Sequence, residues 1–356
     1  MREIAAISFP EGRSVILHAS EEEIFPSGEF ATVTDNSVAG FCTLMDERRM
    51  LKLPPGEAAK VWLSVQEILN FALSLSLGRD GMLLGFGGGV VCDVTAFAAS
   101  IYMRGCKLIL IPTTLLSMVD AAIGGKTGIN FGGSKNIVGT FYPAHETRIC
   151  TGLLRTLPDR EYKSGLAEVI KHAMLEPRKY GLLDTLLSGK GPILSRDSRI
   201  LDKIIPAAAR IKADIVNADL REQGKRAYLN LGHTFGHALE GAMNFSRWSH
   251  GEAVAWGIRR ALDLGLRMGI TNPDWASFSK RLFSEYGFDD VDPEVDGARI
   301  KEAMVNDKKK LGGELRFVLI KDAGDVIVEK VNQSELDSVL GIRSSRFYSG
   351  VSNGRT

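Results

Sequence analysis

Three features of this sequence predict an α/β fold. Short β-like runs alternate with helical patterns over residues 1–156, a glycine cluster separates an apolar strand from an apolar helix, and strand patterning fades beyond Leu157. Such alternation marks a parallel sheet with helical crossovers. Residues 1–156 are therefore expected to form a Rossmann-like, nucleotide-binding domain, and residues 157–343 a second domain that is mostly α-helical.

In chain order, residues 14–19, 30–34, 82–86 and 107–111 read as strands, each a short apolar run. Residues 57–77 carry a long helical period, and residues 93–103 a shorter apolar helix just after the glycines. In the second half, residues 159–175, 198–218, 234–243 and 251–268 read as helices. A hairpin is expected from residues 314–320 and 325–329 across Ala323-Gly324, and the Ser-, Gly- and Arg-rich tail 344–356 is expected to be disordered. No internal repeat is present.

Composition excludes several classes of function. Lys and Arg number 44 against 43 Asp and Glu, a net charge of +1, so no global field draws the chain to nucleic acid or to an anionic membrane. Any anion site must be local. Cys42, Cys92, Cys106 and Cys150 show no Cys-x-x-Cys spacing and lie in or beside apolar runs, as in a reduced, cytoplasmic protein. The N-terminus has no long apolar region with a cleavage site, and no apolar run approaches the ~18 residues of a membrane helix.

Two motifs carry chemistry on their own residues. Gly85-Phe86-Gly87-Gly88-Gly89 follows a strand and precedes a helix start, where a bare backbone can approach a pyrophosphate and helix amides can bind it. The usual Gly-x-Gly-x-x-Gly spacing would need glycine at Val90, so a structural tight turn explains the cluster equally well. Gly125-Lys126-Thr127 looks like the end of a phosphate loop, but its leading glycine would fall on Asp120, and it is not a Walker motif. His233 and His237 stand four residues apart, one helical turn, which suits a zinc-like divalent ion but also an ordinary polar helix face. His250 and Glu168 could add a further nitrogen and an oxygen.

Taken together, the ordered motifs resemble the 3-dehydroquinate synthase family, of the sugar-phosphate cyclase superfamily. They are Gly87-Gly88-Gly89-Val90-Val91-Cys92-Asp93, Tyr102-Met103-Arg104-Gly105, Pro112-Thr113-Thr114, Val119-Asp120 through Asn130, Ser134-Lys135-Asn136, Thr156-Leu157-Pro158, Gly165-Leu166-Ala167-Glu168, Asn230-Leu231-Gly232-His233, His250-Gly251-Glu252 and Asp307-Lys308-Lys309. The resemblance spans both halves. It implies an enzyme that turns 3-deoxy-D-arabino-heptulosonate 7-phosphate into 3-dehydroquinate and phosphate, on the route to chorismate and the aromatic amino acids. It implies bound NAD, recycled in each turnover, a divalent metal (Zn2+ or Co2+), and a homodimer acting on a small sugar-phosphate acid, with no nucleic-acid or membrane partner.

Carried over residue by residue, the resemblance makes Glu168, His233 and His250 the metal ligands. Lys126, Lys171, Lys212, Arg226, Lys309 and Arg104 become the cations for phosphate and carboxylate, with Asn136 and Asn230 as neutral donors, His237 as a proton-transfer group and Asp120 as an acceptor. Arg104 would reach the substrate phosphate of the neighbouring subunit, although an arginine ending an apolar helix can also cap its last carbonyls. Gathered like charges repel, so the cation cluster is expected to need an anionic ligand. For NAD the pattern points to Asp35, Glu57, Lys60, Gly88, Gly89, Asp93, Thr113, Thr114, Lys126, Lys135 and Thr156. Cys92, Thr95-Ala96 and Ala121-Ala122 depart from the family's usual residues, and an acidic residue usual near Cys150 is missing; these bear on cofactor affinity.

Three rivals remain. A sister cyclase, including the aminated type, would share NAD and metal. A metal-dependent alcohol or glycerol dehydrogenase would accumulate NADH. A non-catalytic descendant would be expected to have lost ligands, and none of the three is lost.

Overall fold

The structure, a computed structural model, describes residues 1–10, 12–42, 46–243, 247–291, 293–310 and 315–342, without the side chains of 306–310. The expected tail, the first residue of the expected late hairpin and the side chain of Lys309 lie outside the described residues.

The first half contains β1 (Arg2–Phe9), β2 (Gly12–His18), β3 (Phe30–Asp35), β4 (Met50–Leu53), α1 (Trp62–Ser74), β5 (Met82–Gly87), α2 (Gly89–Ile101) and β6 (Lys107–Pro112). A hairpin of β7 (Lys126–Phe131) and β8 (Ser134–Phe141) follows, then β9 (Glu146–Ile149). The second half contains α3 (Asp159–Leu175), α4 (Leu182–Ser188), α5 (Lys190–Leu194), α6 (Ser198–Ala218), α7 (His233–Ala242), α8 (His250–Arg267), α9 (Pro273–Glu285) and α10 (Gly297–Lys310). It closes with β10 (Arg316–Asp322), β11 (Asp325–Lys330) and α11 (Gln333–Val339).

Seven strands form one sheet in the order β1-β2-β9-β6-β5-β3-β4. From β2 to β4 every pairing is parallel, as expected; β1 adds an antiparallel edge that the sequence pattern did not reveal. Period-two alternation sends Leu83, Leu108 and Leu110 to one face, where they pack with Val65 and Ile68 of α1 and Val91 and Val94 of α2. Leu84, Phe86, Ile109 and Ile111 face the other way and join a core with Leu166, Ile170, Ile204 and Leu262 from the helical half. That half therefore forms the second cover of the parallel sheet, which needs both faces buried.

Several boundaries differ from the sequence reading for local reasons. The helix expected at 93 begins four residues earlier, because Gly88 takes an extended N-cap conformation and the helix starts on Gly89. The helix expected over 57–77 breaks into a 3-10 turn, Glu57–Ala59, and α1. At the break the Lys60 side chain is buried against Asp93 and its carbonyl accepts from Asn130 N at 2.8 Å. His233 and His250, each expected just outside a helix, are the first residues of α7 and α8. No helix among the described residues is long and apolar enough to cross a membrane.

Candidate active site

The site lies where the loops at the carboxyl ends of the parallel strands meet α3, α6, α7 and α8. Ser117–Ala121 forms a single π-helical turn carrying Asp120, a geometry that recurs at functional sites. Lys212 of α6 donates to the Asp120 carbonyl at 2.6 Å and also to its carboxylate. Burial opposes the charge on Asp120, but Lys212 outweighs it and holds the carboxyl below its ordinary range. Burial also lowers the pKa of Lys212, partly offset by Asp120.

On α3, Glu168 is fully buried, and Lys171, also fully buried, lies against its Oε2 without hydrogen-bond alignment. Glu168 Oε1 lies 3.8 Å from His233 Nε2 and 3.6 Å from His250 Nε2. Burial would neutralise this carboxyl, yet Lys171 and then the two imidazoles hold it well below the usual range. Burial, then Lys171, lower His233 well below an ordinary histidine. For His250 burial again opposes charge, but Glu168 and Glu240 prevail and raise its pKa to about 9.

Two features bring these imidazoles together. Gly232 caps α7 in the left-handed region at φ +81°, where a Cβ would sit 2.8 Å from Ile258 N and from Val254 O, so only glycine lets α7 meet α8 this closely. Ser249 and Glu252 form a reciprocal capping box that fixes the first turn of α8 and with it the backbone of His250. His237, exposed one turn after His233, has its ring centroid 5.2 Å from that of His233 and 6.0 Å from that of His250.

A buried carboxylate facing two imidazole nitrogens fits a divalent cation: among the described residues neither Glu168 oxygen has a hydrogen-bond donor, and one donor atom from each residue falls within 4.8 Å of the others. The four-residue pair His233 and His237 divides between two potential donor groups that share His250, the second being His237, Glu240 and His250.

The proposed cofactor residues gather along the carboxyl edge of the sheet, where open α/β sheets bind ligands. Asp35 ends β3 and accepts from Ser37 N at 2.8 Å. A Cβ on Gly88 would meet Thr114 Cγ2 at 3.2 Å and one on Gly89 would meet Ala121 Cβ at 3.3 Å, so the glycine turn is packed as closely as glycine permits. No described side chain caps α2. Thr113 donates its N–H to Gly87 O at 2.9 Å, and its buried hydroxyl has no partner among the described residues. Free helix amides beside an unpartnered hydroxyl fit a pyrophosphate. Asp93 lies in the second turn of α2, paired with Lys60. Glu57 accepts from Asn130 at 2.8 Å, and Asn130 Oδ1 accepts from Asn136 N at 3.0 Å, tying this edge to the β7–β8 hairpin. Thr156 ends the turn Thr151–Thr156 with its side chain exposed.

Apart from Arg104, the described cations of the site each have a partner within the protein, against the expectation that the cluster needs an anionic ligand. Lys126 pairs with Glu222, Lys171 with Glu168, Lys212 with Asp120, and Lys135 lies 3.7 Å from Glu240. Arg226 is buried and donates to Leu220 O at 2.6 Å and Gly124 O at 2.8 Å. Asn230 donates to Glu222 Oε1 at 2.6 Å. Glu222, Glu240 and His172 were not singled out from the sequence. Glu222 has left-handed backbone, φ +58°, in an unpatterned turn. Glu240 follows His233 and His237 at helical spacing, a signal that was available. His172 is buried without a hydrogen-bond partner among the described residues, 4.0 Å from Asp120 Oδ1, and burial followed by Lys171 lower its pKa to about 4.

The N-terminal domain of 3-dehydroquinate synthase matches residues 50–164, and its C-terminal domain matches residues 165–310. The chain belongs to the 3-dehydroquinate synthase family. The 3-dehydroquinate synthase of Dichelobacter nodosus (strain VCS1703A) is 38% identical over 334 residues, covering 93% of this chain and 87% of its own. Among solved structures, a 2-deoxy-scyllo-inosose synthase complexed with carbaglucose-6-phosphate, NAD+ and Co2+ superposes with a TM-score of 0.84 at 23% identity, covering 94% of this chain and 98% of its own. The 2-epi-5-epi-valiolone synthase of Streptomyces hygroscopicus subsp. jinggangensis 5008, with NAD+ and Zn2+ bound, gives 0.81 at 25% identity, covering 91% and 95%. The two-domain α/β fold is thus that of the sugar-phosphate cyclases.

Proposed function

We propose that the chain is a 3-dehydroquinate synthase that converts 3-deoxy-D-arabino-heptulosonate 7-phosphate to 3-dehydroquinate and phosphate in chorismate biosynthesis, as a cytoplasmic homodimer. The observation that carries this reading is the buried Glu168 carboxylate, without a hydrogen-bond donor among the described residues, between two imidazoles of a chain that matches the family across both halves. When bound, NAD supplies a hydride acceptor and donor, and the divalent cation polarises substrate oxygens.

The protein's own groups bind, orient and move protons. Glu168, His233 and His250 would hold the cation. Gly88, Gly89, Thr113, Thr114 and Thr156, with Asp35, Glu57, Lys60, Asp93 and Lys135, would hold the dinucleotide along the sheet edge. Asp120, kept ionised by Lys212, is placed to accept a hydroxyl proton in a hydrogen bond. His237, exposed beside the two ligand imidazoles, is placed to take a proton at a ring nitrogen and exchange it with water. Lys126, Lys171, Lys212, Arg226, Asn136 and Asn230 would bind the anionic substrate, with Lys309 and the partner's arginine at position 104 as further phosphate contacts. Each internal cation pair must then exchange a protein carboxylate or carbonyl for a substrate oxygen.

Phosphate release from the acidic seven-carbon substrate, with NAD and zinc added, tests the reading. Phosphate should accumulate while NADH absorbance stays flat; stoichiometric NADH would identify a dehydrogenase instead.

Arg226 bears on substrate choice. Its fork reaches two carbonyls in different directions, which a lysine ammonium cannot match. Arg226→Lys is expected to lower kcat/KM for the acidic substrate by at least about tenfold, since each charge-assisted hydrogen bond contributes about 1.5–3 kcal/mol. A neutral sugar phosphate supplies the control. If efficiency falls equally on both substrates, or on neither, Arg226 does not read the carboxylate.

A further inference from the structure

We propose that Glu240 is a positioning residue for the metal centre, holding the His250 ring with Nδ1 protonated so that Nε2 is the nitrogen presented toward Glu168. The inference rests on the reading that Glu168, His233 and His250 hold the cation. His233, His237 and Glu240 lie on one face of α7, at steps of four and three residues. Glu240 is only 7% exposed, and its two oxygens serve different partners. Oε2 lies 3.7 Å from His250 Nδ1, and Oε1 lies 3.7 Å from Lys135 Nζ of β8.

His250 is therefore bracketed by carboxylates, with Nε2 3.6 Å from Glu168 Oε1 and Nδ1 facing Glu240. As the first residue of α8 its ring has no preceding helical turn to rest on, and the capping box of Ser249 and Glu252 fixes backbone, not imidazole. A ring so placed needs an outside acceptor to choose its tautomer and orientation. A carboxylate accepting from the remote N–H of a ligating histidine sets both and raises the basicity of the ligating nitrogen. Lys135, against the other Glu240 oxygen, ties this support to the β7–β8 hairpin.

Zinc affinity of the full chain, measured by competition with a chelator, separates the possibilities. Glu240→Ala should bind zinc about 10–100-fold more weakly than the parent, the range found when such supporting groups are removed. Glu240→Gln, whose amide oxygen can still accept from Nδ1, should recover at least half of that loss on a logarithmic scale. Equal affinity for the alanine variant and the parent overturns the proposal, and so does a glutamine variant as weak as alanine. His233→Ala is the control for the ligand reading: if it binds zinc like the parent, that reading fails whatever Glu240 does. A measurement on the zinc-loaded parent needs no variant to fold. Nitrogen chemical shifts of the His250 ring should show zinc on Nε2 and a proton on Nδ1, and zinc on Nδ1 overturns the assignment.

Discussion

Glu168→Gln is expected to leave the chain without bound zinc and without measurable phosphate release. The carboxylate is one of three donors, and the amide that replaces it has neither its charge nor its affinity for a hard divalent cation. A second effect follows from burial. Lys171 is as buried as Glu168 and lies against it, so neutralising the acid strands an ammonium in the interior. Breaking a buried pair from one side destabilises by roughly 3–5 kcal/mol, which urea unfolding would register. The double change Glu168→Gln with Lys171→Met removes the stranded charge, so stability should largely return while zinc content stays at background. Zinc bound by the single variant with the parent's affinity, together with normal turnover, would show that the cation lies elsewhere.

How much of this was legible in the sequence depended on the reach of each pattern. Helices 159–175 and 198–218 were read with the boundaries of α3 and α6, because each has a long amphipathic period and begins at a polar or proline boundary. β4 and β9, four residues each, are too short to show a period. The β7–β8 hairpin is interrupted by Gly128 and Gly139 and exposes Phe131, Ile137 and Phe141, so neither alternation nor burial marked it as paired strands. In the site, the ligand types and glycines could be named because chemistry restricts them. Their partners could not: Glu222, which holds Lys126 and Asn230, occupies a turn defined only by its left-handed backbone. Cations can be counted in a sequence, but the acids that folding sets among them, such as Glu222 beside Lys126, come from distant segments.

Arg104→Ala should be nearly inactive, and its activity should return when it is mixed with an equally inactive His233→Ala chain. The alternative, that Arg104 caps the last carbonyls of α2, has no support in the structure: the side chain is exposed and makes no hydrogen bond or ion pair with any described residue. Its backbone is held at φ +67° directly after Met103 at φ +47°, two consecutive non-glycine residues in the left-handed region. Such strain costs of order 1–3 kcal/mol per residue and persists where a side chain must be presented in a particular direction. Ile101, 36% exposed, and Met103, 43% exposed, precede it, giving an apolar setting suited to a second copy of the chain. If the arginine completes the neighbour's site, a mixed dimer contains one site with both the metal centre and the donated guanidinium intact. Random exchange of equal amounts makes about half the dimers mixed, each with one working site of two, so recovery should approach about a quarter of the parent's activity. The check is activity as a function of mixing ratio, with exchange verified by differently tagged chains. Confirmed exchange with no recovery would place Arg104 in its own subunit's site.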